Sequence, residues 1–258
     1  MTYPAPVKHL LGAGIGAVAP QCDYERCVFV IGHMRCGSTA LSNVLCSRPE
    51  ISGYGETQVP YTSKVSPGAL LLNQIKRKTW KPQAKHLFDK LLHNRLDNTP
   101  PPQFFRARAI FITREPKAAI PSVVSLFRKI GSSQFATIEK AGDYYVKRLK
   151  HMKALWRQFP ENHRCAVTYE DLTQHTDEVL ENISNFLNLS PPLHNHYEEN
   201  NMSGVKGAGD PVNAQKHSQI VSGGLSRKYK KDLLPEEKAV IDRAENVLRE
   251  ARSCFHSG

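Results

Sequence analysis

With 258 residues, 40% of them hydrophobic, and a formal charge of +11 from 35 Lys and Arg against 24 Asp and Glu, the chain can bury one sizeable core and draws anionic partners: nucleic acid, acidic membrane surfaces or phosphorylated cofactors. It has no zinc-finger spacing, RNP-like aromatic motif or heptad-linked basic region, which counts against nucleic acid, and no stretch near the ~20 apolar residues of a spanning helix. Six cysteines, Cys22, Cys27, Cys36, Cys46, Cys165 and Cys254, are scattered without a C-x-x-C pair, so free thiols in a reducing cytosol and a soluble, cytoplasmic protein are expected.

The apolar run from Leu10 to Pro20 follows Lys8 and His9 but is broken by Gly12, Gly14 and Gly16, which argues against a secretory signal. Residues 1–26 are read as an N-terminal extension of a single domain that spans residues 1–258, with its core at about 27–251. The first clear element is Cys27–Ile31, a β-branched and aromatic run before a glycine, which reads as a buried parallel strand. A loop covers Gly32 to Gly37. A helix follows over Ser38–Ser47, with Leu41, Val44 and Leu45 at helical spacing and hydroxyls where it begins. Pro49 ends it, and Ile51–Tyr54 reads as a second strand that delivers Glu56.

Residues 60–82, rich in Lys, Pro, Ser and Gly around Ala69–Leu72, read as a loop-and-helix excursion that shapes a pocket. His86–Phe88 is a short strand leading to Asp89 and Lys90. Ala109–Thr113 is the most convincing strand after the first, and a helix runs from about Pro116 to Lys129. Ile138, Ala141, Tyr145, Leu149, Met152, Trp156 and Phe159 recur at intervals of three and four, so residues 137–159 form a long amphipathic helix whose stripe is core. Arg164–Thr168 is another strand, Thr176–Leu187 a helix, and Pro235 opens a last helix through Ala251. This alternation implies an α/β fold, a parallel β-sheet flanked by helices.

Gly32-His-Met-Arg-Cys-Gly37-Ser38-Thr39, between a strand and a helix, suits a loop whose amides and helix N-terminus cradle a phosphate. A Walker A loop places Lys after the second glycine, where this chain has Ser38, and a Walker B strand ends in an acid, where Ala109–Thr113 runs into Arg114. Both departures weaken an ATP or GTP site.

The loop Arg35-Cys36-Gly37-Ser38-Thr39 together with Arg114-Glu-Pro116 and Ser122 resembles the sulfotransferases that use 3′-phosphoadenosine-5′-phosphosulfate (PAPS), in particular the branch with Arg in the loop that includes the tyrosylprotein and several bacterial enzymes. The resemblance implies a P-loop-like fold and assigns Arg35, Cys36, Gly37, Ser38 and Thr39 to the 5′-phosphosulfate. It assigns Arg114 and Ser122 to the 3′-phosphate and Tyr169, in Tyr169-Glu-Asp-Leu172, to a place beside the adenine. Gly224-Leu-Ser-Arg-Lys228-Tyr229 is similar to the family's late basic loop, with Arg227 and Lys228 as the candidate contacts and Lys216 a looser one.

In the same branch a catalytic Glu follows the loop Arg by the spacing between Arg35 and Glu56. A carboxylate at a strand end facing the loop can serve as general base. His33 is a rival candidate for the base, with a structural role in the loop as the equal alternative. Lys90 is a candidate cation toward the sulfate or the acceptor, with a helix-surface lysine as the alternative; Cys36 and Cys46 also read as packing residues. The expected activity is sulfuryl transfer from PAPS, leaving 3′-phosphoadenosine-5′-phosphate (PAP), to a hydroxyl or amine of a small-molecule, carbohydrate or peptide acceptor, with no metal. The alternatives are a P-loop kinase-like phosphotransferase and a non-catalytic nucleotide- or polyanion-binding protein on the same fold.

Overall fold

Every residue of β1 (Cys27–Gly32) is buried, as its unbroken apolar run requires of a strand covered on both faces. The structure, a computed structural model, describes residues 19–197, 218–221 and 234–256. Around β1 stand β2 (Ile51–Ser52), β3 (His86–Leu91), β4 (Arg108–Thr113) and β5 (Arg164–Thr168), in the order β2-β3-β1-β4-β5. All four pairings are parallel, with Phe29 opposite both Asp89 and Ala109.

Besides a single helical turn at Asn94–Asp97, the α-helices among the described residues are α1 (Ser38–Ser47), α2 (Ser66–Lys76), α3 (Pro116–Lys129), α4 (Ile138–Trp156), α5 (Tyr169–Gln174), α6 (Thr176–Leu187) and α7 (Pro235–His256). Alternation along the strands splits the core into two layers. Cys27, Phe29, Ile31, Ala109 and Phe111 pack with α3, α4 and α7 on one face. Val28, Val30, Ile110 and Ile112 pack with α1 and α6 on the other.

Several boundaries differ from those read off the sequence. The second strand stops at Ser52, because Gly53 takes φ 116° and a Cβ there would lie 2.5 Å from the Gln74 amide. β3 continues to Leu91 and contains Asp89 and Lys90, so Lys90 is a strand residue and the helix-surface reading is corrected. Helix α4 is bounded by a Thr137 cap whose side chain accepts from the Lys140 amide, and it ends at Trp156. Helix α7 runs one turn past Ala251 to His256.

A buried ion pair fixes the C-terminal ends of β1 and β3, where the phosphate loop begins. Arg148 donates from Nε to the Gly32 carbonyl (2.8 Å) and from Nη2 to the Leu91 carbonyl (2.8 Å), and grips both Asp97 oxygens at 2.8 Å. Both side chains are almost wholly buried, so removal of either leaves an uncompensated charge at a cost of ~3–5 kcal/mol.

Candidate active site

The loop after β1 turns sharply because Arg35 and Gly37 both lie at positive φ, 66° and 91°. At Gly37 a glycine is required twice over: by the backbone angle, and because a Cβ would sit 2.6 Å from the Tyr169 ring. Gly37 also caps α1 without any side-chain hydrogen bond. The amides of the first turn are therefore left for an anion. The Met34 amide donates to the Tyr144 hydroxyl (2.8 Å), which donates on to the Leu92 carbonyl (2.7 Å), so α4 holds the loop against β3.

His33 is not placed as a base. Its ring is fully buried; Nε2 accepts from the Arg114 amide (3.1 Å), so Nδ1 carries the proton and donates to the Met34 carbonyl (2.9 Å). Burial first, and the charges of Arg114, Arg148 and Arg252 besides, push its pKa down to about 3. Of the two readings of His33, rival base and structural residue, the geometry fits the second: His33 is a neutral brace between the loop and β4. Cys36 is buried and its thiol is raised by burial, and burial pushes Cys46 up to about 12. Both are packing residues, as read.

The two sequence signatures meet in space. Arg35 donates from Nε to the Ser122 hydroxyl (2.9 Å), and Arg114 donates from Nη1 to the Arg35 carbonyl (3.1 Å). The Arg114 guanidinium stacks 4.0 Å from the centre of the Tyr169 ring, and the Arg114 carbonyl accepts from the Tyr145 hydroxyl (2.6 Å). Arg114 is 1% exposed, while its Nε and Nη2 make no hydrogen bond. Unsatisfied buried donors of this kind suit a phosphate.

Across the loop, Lys90 donates from Nζ to the Thr39 hydroxyl (3.2 Å) and lies 3.6 Å from Glu56 Oε1. Lys90 is 1% exposed and Glu56 15%. The other Glu56 oxygen accepts from the Gln58 amide (3.0 Å), and its backbone carbonyl accepts from Arg77. The expected base, the expected cation and a hydroxyl of the phosphate loop thus form one line.

Strand β3 grips this turn with two consecutive residues. Asp89, fully buried, accepts from the Thr57 amide (2.9 Å), the Thr57 hydroxyl (2.5 Å), the Tyr61 hydroxyl (2.7 Å) and the Lys90 amide (2.8 Å). Burial pushes its pKa up to about 6, against the pull of those hydrogen bonds. A native pKa above the ordinary 3.8 gives stability that is full at low pH and lost as pH rises through both values. Asn can keep the geometry: its oxygen serves the two amides, and its NH₂ donates to hydroxyls that rotate to accept. Asp89→Asn should therefore gain stability over the wild type as pH rises from about 4 to about 6 and hold a roughly constant advantage above that. The gain is ~3 kcal/mol at most. Urea melts across this range check it, and a difference that does not vary with pH contradicts it.

Asp89, Arg148, Tyr144 and the Arg252 contacts described below were not found from the sequence. Arg227 and Lys228, and the looser Lys216, lie outside the described residues.

Residues 69–192 match the model of the sulfotransferase family. No curated protein sequence matches the chain. Among solved structures, a sulfotransferase domain from the curacin biosynthetic pathway aligns with a TM-score of 0.57 at 18% identity, over 86% of this chain and 96% of that one. The sulfotransferase domain of the Synechococcus PCC 7002 olefin synthase aligns at 0.57 and 21%, over 89% and 97%. A mouse sulfotransferase complexed with PAP aligns at 0.59 and 14%, over 93% and 92%. The chain has the sulfotransferase fold, and its middle carries the family's sequence. In this sulfotransferase-like chain the family match takes in Lys90, Arg114, Ser122 and Tyr169, whereas Arg35–Thr39 and Glu56 precede it. Those earlier residues stand on the geometry that joins them to the matched segment.

Proposed function

We propose that the chain transfers a sulfuryl group from PAPS to a hydroxyl or amine of a small-molecule, carbohydrate or peptide acceptor. The observation that supports this most is the convergence of Arg35, Ser122, Arg114 and Tyr169 on one loop, beside a carboxylate, Glu56, joined to that loop through Lys90. PAPS supplies the sulfuryl group and departs as PAP. Arg114 and Ser122 hold the 3′-phosphate, and Tyr169 lies beside the adenine. Arg35, Cys36, Gly37, Ser38 and Thr39 hold the 5′ end with the uncapped amides of α1.

Glu56 takes the acceptor proton at a carboxylate oxygen. Lys90 and Arg35, with the α1 amides, neutralise charge that grows on the leaving side, as preorganised donors shielded from water do. The mouse neighbour complexed with PAP is consistent with the donor.

PAP should raise the melting temperature in the presence of EDTA, and adenosine 5′-phosphate should raise it less. Ligand at a hundred times its Kd stabilises by ~2.7 kcal/mol, a shift of several degrees in differential scanning fluorimetry. A larger shift from ATP with Mg²⁺, or loss of the PAP shift on chelation, would favour a phosphotransferase instead.

A further inference from the structure

Arg114 is followed by Glu115, and Tyr169 by Glu170. The pair proposed to meet the 3′-phosphate and the adenine is thus flanked by two carboxylates that would repel a nucleotide bearing several negative charges. One residue holds both. Arg252, on the last turns of α7, donates from Nη1 to Glu115 and from Nη2 to Glu170 (2.8 Å). Its Nε approaches the Thr113 hydroxyl at 3.4 Å. The second Glu170 oxygen accepts from the Glu115 amide (3.1 Å). Every part of this cluster is partly shielded, with side-chain exposures of 25% for Arg252, 42% for Glu115 and 30% for Glu170.

We propose that Arg252 is a specificity-determining positioning residue: it occupies Glu115 and Glu170 so that the Arg114 guanidinium keeps its free donors for the 3′-phosphate of the nucleotide. This rests on the donor reading above. The Glu170 charge already acts on Arg114, whose Nε and Nη2 have no hydrogen-bond partner. Deprived of Arg252, the two carboxylates repel each other, and Glu170, whose charge already reaches Arg114, turns to that guanidinium and its unused donors. A carboxylate on that guanidinium competes directly with a phosphate. The C-terminal helix thereby sets nucleotide selectivity from a position that touches no nucleotide.

The test is calorimetric titration of PAP and of adenosine 5′-phosphate into the wild type, Arg252→Gln, and Arg252→Gln combined with Glu115→Gln and Glu170→Gln. Arg252→Gln should weaken PAP by ~10-fold, the scale of one charge-assisted contact, and adenosine 5′-phosphate by no more than ~2-fold. The triple variant should recover most of the loss, which a merely structural role for Arg252 does not allow. Equal weakening of both nucleotides, or no recovery in the triple variant, overturns the proposal. A second arm is independent of the donor. In nitrogen-15 spectra with Arg114 assigned through Arg114→Lys, its Nε–H signal should move in Arg252→Gln and return in the triple variant. An unmoved signal overturns the proposal whichever nucleotide binds. A moved signal in a protein that binds no PAP would sustain the role of Arg252 and contradict the donor instead.

Discussion

Glu56→Gln should lower kcat by ~10²-fold or more, the contribution of a positioned general base, and leave the affinity for PAPS within about twofold. The side chain keeps its shape, and its outward oxygen can still accept from the Gln58 amide, a contact of 3.0 Å in the wild type. Only the capacity to take a proton is removed. In the proposed reaction the base faces the acceptor while the nucleotide is held by Arg35, Arg114, Ser122 and the α1 amides, so binding of the donor and chemistry should separate. Such a loss in kcat alone marks an interaction made in the transition state. It should therefore shrink for acceptors whose nucleophile is already deprotonated at the assay pH and be largest for weakly acidic alcohols. His33, neutral and engaged at both ring nitrogens, does not substitute for the lost carboxylate. Wild-type turnover in the variant would remove Glu56 from the chemistry.

Lys90→Met should cost ~10²–10³-fold in kcat, the effect of deleting one preorganised donor at a site of developing charge. The methionine keeps most of the apolar stem and removes the ammonium that stands between the Thr39 hydroxyl, 3.2 Å away, and Glu56, 3.6 Å away. At 1% exposure that ammonium carries a desolvation penalty that offsets its attraction to Glu56, which is 15% exposed and keeps its contact with Gln58, so the variant should melt close to the wild type. Activity and stability then move apart. PAPS affinity should fall by only about threefold, since the leaving-side charge is not yet developed in the donor complex, whereas PAP, which carries that charge, should lose more. Steady-state kinetics and a thermal melt on the same preparation check both halves. A variant that keeps its kcat, or one that loses activity only because it unfolds, contradicts the assignment.

The parts of this site that could be read from the sequence are those whose cause is local. The turn at Gly32–Gly37 and the helix start at Ser38 announce themselves through glycine and hydroxyl placement within a few residues, and Arg114 through the end of an apolar strand. Lys90 was ambiguous for a physical reason. His86–Leu91 mixes buried charges into a short strand, so alternation gave no clean period, and only the register against Cys27–Ile31 shows that Asp89 and Lys90 point to opposite faces beneath one turn. The bracing residues were illegible because their partners are far off in the chain. Arg252 is separated from Glu115 by 137 positions and from Glu170 by 82, and Arg148 from Gly32 by 116. Each looks like an ordinary helix-surface cation until the fold buries it or places it against a carboxylate. His33 misled in the opposite direction: a histidine in a phosphate loop suggests chemistry, but its ring is sealed by Tyr145 at 4.5 Å and by the backbone of Arg114.

Transfer of label from radiolabelled PAPS, in EDTA, to a panel of alcohol, phenol, amine, sugar and tyrosyl-peptide acceptors, run side by side with Glu56→Gln, tests the proposed reaction most directly. Labelled product should form with at least one acceptor in the wild type without added metal, with stoichiometric PAP, and its rate should collapse in the variant. Tight binding of PAP with no transfer to any acceptor class, or transfer of phosphate from ATP with Mg²⁺ in place of sulfate, would contradict it.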